Sequence, residues 1–235
     1  MAKNALMRAL ANGIAFAVAV GVWWWAWPRS FDVGVSVAFI VGGPLGIFPL
    51  AWLCRRLLDA TPTPERTFWA SIPMHYGVLV LISLAAIESY KLILARPVWV
   101  IPLPAWIGYA LMMIAGAFVL LTVLNLALRG LGAPFAIALT RRLSVDWLYR
   151  WTRNPMVLGA LAFMVAGGLW MRSAWFVLWV ILLFAPAMIF FLKVYEEREL
   201  EIRFGEPYLD YKARTPFLFP GRPREPLGRD GAQQT

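Results

Sequence analysis

Apolar residues in this chain come in long blocks rather than alternating or recurring with a helical period. An α-helix needs about 20 mostly apolar residues to cross the hydrocarbon core of a membrane. The first block, Ala9 to Trp27, ends in a belt of Trp23, Trp24, Trp25 and Trp27, and tryptophan collects at membrane–water boundaries. It follows Lys3 and Arg8, as the core of a signal peptide would. It ends in tryptophan and proline rather than at a small-residue cleavage site, so it reads as a retained span. The second block is Val33–Leu53, where Gly42, Gly43, Pro44 and Pro49 predict a kink. A polar link from Arg55 to Arg66 precedes the third, Phe68–Ile87. A connection with Pro97, Pro102 and Pro104 precedes the fourth, Trp106–Leu128. Beyond the polar stretch Arg129–Arg153, the runs Pro155–Met171 and Ser173–Tyr195 are parted only by Arg172. Together they are too long for one crossing and predict a tight helical hairpin.

Composition supports this reading. The 235 residues are 61% hydrophobic and 15% charged, against about 45–50% and about 25% in soluble domains. A water-soluble enzyme, a disordered protein and a nucleic-acid-binding module are thereby excluded. Six spans also sort the cations. With both termini cytoplasmic, Arg29, Lys91, Arg96 and Arg172 lie outside and every other one of the 22 lysines and arginines inside, as the positive-inside rule requires. The net charge of +9 is then a mark of topology and calls for no nucleic-acid partner. The expected fold is an all-α, polytopic membrane protein with about six transmembrane helices, a C-terminal helical hairpin and a cytoplasmic amphipathic tail.

Polar groups at membrane depth are the default functional candidates. His75 is the only histidine; alone it cannot build a zinc site, and it reads as a packing or interfacial residue. Glu88 and Lys91 share a helical face and read as an interfacial ion pair. Asn125 reads as a helix–helix hydrogen bond and Cys54, the single cysteine, as packing. No metal site is expected. A hairpin turning at Arg172 brings Arg153 and Asn154, at its start, to the same membrane surface as Glu196 and Glu197, at its end. Cations, backbone donors and carboxylates together suit a zwitterion such as an α-amino acid moiety. The competing reading makes Glu196, Glu197, Glu199 and Glu201 a solvated helix face, with Glu199 and Arg203 as an i,i+4 pair.

A motif lies across these residues. Tyr149-Arg150-Trp151-Thr152-Arg153-Asn154-Pro155-Met156-Val157-Leu158-Gly159 is followed by Glu196-Glu197, Phe204-Gly205, Tyr208, Tyr211 and Pro216 to Pro220. In order and spacing this resembles the two-part signature of the isoprenylcysteine carboxyl methyltransferase-like membrane enzymes. Gly130 to Phe135 and Arg142-Leu143-Ser144 are similar to the loop that precedes it. The resemblance covers about residues 129–220. It divides the chain into four N-terminal transmembrane helices over 1–128, a cofactor-binding region over 129–220 and a disordered tail over 221–235.

The resemblance implies an S-adenosylmethionine-dependent methyltransferase of a bacterial inner membrane, with its cofactor pocket open to the cytosol. It places cofactor contacts on Leu143, Ser144, Tyr149, Arg153, Asn154, Pro155, Met156, Val157, Glu196 and Glu197. It names no general base, because displacement at a sulfonium needs mainly positioning and exclusion of water. The acceptor would be an amphiphile arriving from the bilayer: a lipid amine, thiol or carboxylate. The chain departs from the family at four points, the first being Trp147-Leu148 where the family carries Gly-Pro before the signature tyrosine. Asn154 stands for the usual histidine, as in phosphatidylethanolamine N-methyltransferases; Val157 stands for a tyrosine; and Leu192 stands where isoprenylcysteine enzymes carry an arginine for the substrate carboxylate. A prenylated cysteine is accordingly disfavoured. Two alternatives stay open: an NADPH-dependent sterol or lipid reductase with a related tail, and a degenerate, non-enzymatic scaffold.

Overall fold

A computed structural model describes residues 2–97, 99–129 and 143–222, without the side chains of residues 2–5. Residues 223–235 of the expected disordered tail, and Gly130 to Phe135 and Arg142 of the loop before the signature, lie outside the described residues. Most of the described residues are helical. In chain order come α1 (Ala2–Ala26), α2 (Val33–Ala60), α3 (Pro64–Ala95), α4 (Ala105–Arg129) and α5 (Pro155–Trp170). A 31-residue helix, α6 (Ala174–Phe204), and a short α7 (Glu206–Arg214) complete the series. Five of these, α1 to α4 and α6, are long and apolar enough to span a membrane. The chain is an all-α, multi-pass integral membrane protein. α5, at 16 residues, would rise only about 24 Å at ~1.5 Å per residue, short of the ~30 Å hydrocarbon core.

Helix ends depart from the apolar blocks where local chemistry extends them. The Arg55–Arg66 stretch is not a link: α2 continues to Ala60 and α3 begins at Pro64. Arg55 and Asp59 pair at 2.6 Å one turn apart on α2, and Thr63 caps α3 by accepting from the Arg66 amide, with Pro64 in its first turn. Likewise α6 does not end at Tyr195 but carries its glutamates on for two more turns. Pro186 removes one backbone donor inside α6, and the preceding Val180–Phe184 turn widens to a π-helix, a local adjustment that accommodates a missing bond. A second π turn covers Leu192–Glu196.

Two helix pairs dominate the packing, α2 with α3 and α4 with α5. Small residues let them approach. A Cβ on Gly159 would lie 2.8 Å from Phe118, one on Gly43 would lie 2.5 Å from the Leu81 carbonyl, and one on Gly108 would meet the Trp170 backbone. Close approach at glycine is how membrane helices gain dispersion contacts without a hydrophobic driving force. α6 joins the two pairs. Its Ala187, Phe191, Leu192 and Tyr195 are buried against Ile47, Ala51, Cys54 and Leu58 of α2 and Ala70, Met74 and Val78 of α3.

At the far end of α3 the expected ion pair is present. Lys91 Nζ lies 2.8 Å from Glu88 Oε1, and Ser36 of α2 donates to Glu88 Oε2 at 2.9 Å. Lys91 also donates to the carbonyls of Ala26 and Arg29 at the end of α1. Glu88 is only 1% exposed, so the pair clamps three helices together rather than lying on a surface.

Candidate active site

The end of the molecule opposite Glu88 holds a cavity of about 870 Å³, counting its open mouth. The stripe Leu192, Glu196, Glu199, Leu200 and Arg203 forms one wall, on a common face of α6. The π turn that ends at Glu196 is what sets this register, and such turns recur at functional positions. Tyr208 and Tyr211 of α7 contribute to the lining; Leu143, Ser144 and Tyr149 come from the segment before α5; Arg153, Asn154 and Met156 come from its start. His75 of α3 and Leu126 of α4 complete the lining.

Backbone bonds hold the second half of the signature against the first. The Arg153 amide donates to the Pro216 carbonyl at 2.9 Å, and the Gly221 amide to that of Trp151 at 3.0 Å. Thr152 Oγ1 donates to Leu218 O at 2.8 Å, and Asn154 Nδ2 to Phe217 O at 2.8 Å. Tyr211 reaches back from α7 to the Tyr149 carbonyl, at 2.7 Å. α7 can fold onto the cavity because α6 stops at Gly205, whose φ of +59° few other residues adopt without strain.

The acidic residues are not a solvated face. Glu197 and Glu199 are buried, and the expected Glu199–Arg203 pair forms at 3.1 Å inside the cavity wall. Glu197 lies 2.7 Å from Arg153 and 2.7 Å from Lys212. Lys212 also meets Glu201, which meets Arg198, which meets Asp59 of α2. One chain of charges thus ties α2, α6, α7 and the start of α5 together. Burial would lower the Lys212 pKa, but the hydrogen bonds and charges of Glu197 and Glu201 outweigh it and raise it.

Three lining groups keep unused polar capacity, Glu197 through an Oε1 that accepts no hydrogen bond. Glu196 makes no hydrogen bond or ion pair among the described residues. Arg153 Nε is buried without a hydrogen-bond partner, and Nη1, though close to Glu197, is not aligned to donate to it. Orphaned buried polar atoms call for an explanation, and here they border the same space. Burial, reinforced by the Glu196 charge, raises the Tyr149 pKa well above the ordinary tyrosine value. Tyr208 is raised by burial and then by Glu197, and Tyr211 by burial first. All three hydroxyls stay protonated and able to donate.

The expected contact residues mostly meet. Leu143, Ser144, Tyr149, Arg153, Asn154, Met156, Glu196 and Glu197 line the cavity. Pro155 does not; it is buried in the first turn of α5. Val157 does not either, and packs instead on the core beneath. Asn125 bonds no neighbouring helix: it accepts from Ser144 at 3.3 Å and donates to the Asp146 carbonyl at 3.4 Å, so it anchors the segment before the signature. Leu126, Glu199, Leu200 and Arg203 also line it without having been expected to, and so does His75, read from the sequence as packing or interfacial. Its signal was its position, a lone imidazole in an otherwise apolar run. No group of histidine, cysteine and carboxylate side chains among the described residues suits a metal ion.

Comparison with known proteins bears on this cavity. Searches of curated proteins and of solved structures find no match. Residues 103–207 match the family model described as phospholipid methyltransferase, a stretch that includes α4, α5, α6 and every expected contact residue. The chain carries a membrane methyltransferase domain related to, but not specifically, the isoprenylcysteine enzymes. Its activity is S-adenosylmethionine-dependent methyl transfer in a membrane setting, and neither the NADPH-dependent reductase nor the non-enzymatic scaffold finds support.

Proposed function

We propose that the cavity binds S-adenosylmethionine by its amino-acid end and that the methyl acceptor is a lipid amine of the aminophospholipid type. The observation that carries the reading is that Glu196, with no ion pair among the described residues, and Arg153, whose Nε has no hydrogen-bond partner, line one cavity. The Glu196 carboxylate suits an ammonium, and the orphaned donors of Arg153 suit a carboxylate, each by a charge-assisted hydrogen bond. Bound there, S-adenosylmethionine supplies an electrophilic methyl group on a sulfonium. The chain does the rest. Tyr149, Asn154 and Ser144 offer polar contacts along one wall, Leu143, Met156 and Leu200 offer apolar ones, and Phe204 and Tyr208 keep water from the mouth. Leu192 puts no cation where an acceptor carboxylate would need one, which favours an amine over a prenylated cysteine.

In this reading residues 129–220 bind the cofactor, and the helices of 1–128 supply the far wall through His75 and Leu126. α5 and α6 form a hairpin, α5 crosses as a sixth, short span, and both termini and the cavity face the cytosol. Reporters fused after Thr235 and inserted beside Arg172 should be active on opposite sides of the membrane; external activity after Thr235 overturns the orientation. Detergent-purified protein should bind S-adenosylmethionine and not NADPH in a calorimetric titration. It should transfer labelled methyl to phosphatidylethanolamine vesicles but not to phosphatidylcholine vesicles. Cofactor binding with equal labelling of neither lipid would remove the amine assignment and leave the cofactor site standing.

A further inference from the structure

We infer that His75 is the proton acceptor for the lipid amine, a role that rests on the acceptor reading above. Its ring is held from its own helix. Nδ1 lies 2.9 Å from the Ser71 carbonyl, one turn back, and 2.9 Å from Ser71 Oγ. We assign the proton to Nδ1, which then donates to the Ser71 carbonyl and leaves Nε2 presenting a lone pair. The ring is also braced edge-on by Phe191, with centroids 5.6 Å apart, and by Tyr195, 6.2 Å apart. Nε2 has no hydrogen-bond partner among the described residues, while the side chain lines the cavity. A basic nitrogen of fixed tautomer and orientation therefore borders the space on the wall away from the α5 segment.

The chemistry needs such a group. An alkylammonium has no lone pair and cannot be methylated. Its N–H bond must break with the electron pair staying on nitrogen, and the proton passes to Nε2, giving an imidazolium. The freed pair then forms the N–C bond as the C–S bond breaks and its pair remains on sulfur as a neutral thioether. The imidazolium returns its proton to water at the mouth. The other titratable groups around the space are committed or opposite in role. Glu199 and Arg203 pair with each other, Glu197 pairs with Arg153 and Lys212, Arg153 is itself a cation, Glu196 serves the cofactor, and Tyr195 is a buried hydroxyl.

A single histidine makes the test direct, because imidazole ¹⁵N signals need no assignment. The full chain, labelled at histidine and held in phosphatidylcholine nanodiscs, should show the Nδ1–H tautomer. Adding phosphatidylethanolamine should move the Nε2 resonance, and adding more phosphatidylcholine should not. An Nε2–H tautomer, or an Nε2 resonance indifferent to the amine lipid, overturns the proposal without any turnover being measured. In the vesicle assay His75→Gln should lower kcat by roughly 10²- to 10⁴-fold, with S-adenosylmethionine affinity unchanged by calorimetry. Wild-type protein that fails to methylate phosphatidylethanolamine overturns the acceptor reading and this proposal together. Active wild type with undiminished His75→Gln overturns the proposal alone.

Discussion

The two ends of α3 hold similar materials arranged to opposite purpose. Glu88 and His75 lie 13 positions apart in sequence, hence about 20 Å along the helix at ~1.5 Å per residue. At the Glu88 end every partner is supplied from within: Lys91 and Ser36 donate to the carboxylate, and the carbonyls of Ala26 and Arg29 accept from Lys91. At the His75 end a carboxylate and an arginine share a cavity but leave donor and acceptor capacity unused. A buried ionised group that is fully satisfied fixes helices. One that is left open beside space has its stabilisation still to come from a ligand. Burial alone therefore does not tell structural from functional charge; partner accounting does.

That contrast can be broken at either end. The largest effect is expected from Glu88→Ala, which strands Lys91 and frees three helices. Removing one member of a buried pair costs about 3–5 kcal/mol, so denaturant or thermal unfolding in detergent should show a large loss while S-adenosylmethionine affinity of the folded fraction is unchanged. Glu196→Gln should do the reverse. A charge-assisted hydrogen bond contributes roughly 1.5–3 kcal/mol, so affinity should fall by about one to two orders of magnitude with stability unaltered in calorimetry and melting. Glu197→Gln belongs between them: it disconnects Arg153 and Lys212 and should lower both stability and affinity. The smallest change is Tyr211→Phe, which removes only the hydrogen bond to the Tyr149 carbonyl. It should cost about 0.5–1.5 kcal/mol, read as faster proteolysis of the α7 segment. A Glu88→Ala variant that lost affinity as strongly as Glu196→Gln would erase the distinction between the two ends.

The helices were legible because their apolar blocks are uninterrupted, and the site was legible because two separated motifs had to meet. The bonds from Thr152 and Asn154 to residues 217 and 218 show why the motifs travel together. What stayed hidden has physical reasons. The drop in hydropathy at Glu196 resembles a helix end, yet α6 runs on to Phe204 because its acidic residues find cations on α2, α5 and α7. Those partners are tertiary, and nothing in local spacing announces them. His75 was read as packing because its neighbours in sequence are apolar. Only the antiparallel approach of α6 puts the cavity in front of it.

The stitching of residues 216–221 onto 151–154 bears on how the protein is made. Residues 216–221 follow every described helix in the chain, so one rim of the cavity is the last part of the site to be synthesised. Thr152, Arg153 and Asn154 wait without their backbone partners until that segment docks. A chain released after Thr215 should therefore keep its helices yet lose affinity for the methyl donor, because the carbonyls of residues 216–218 that hold Thr152, Arg153 and Asn154 are gone.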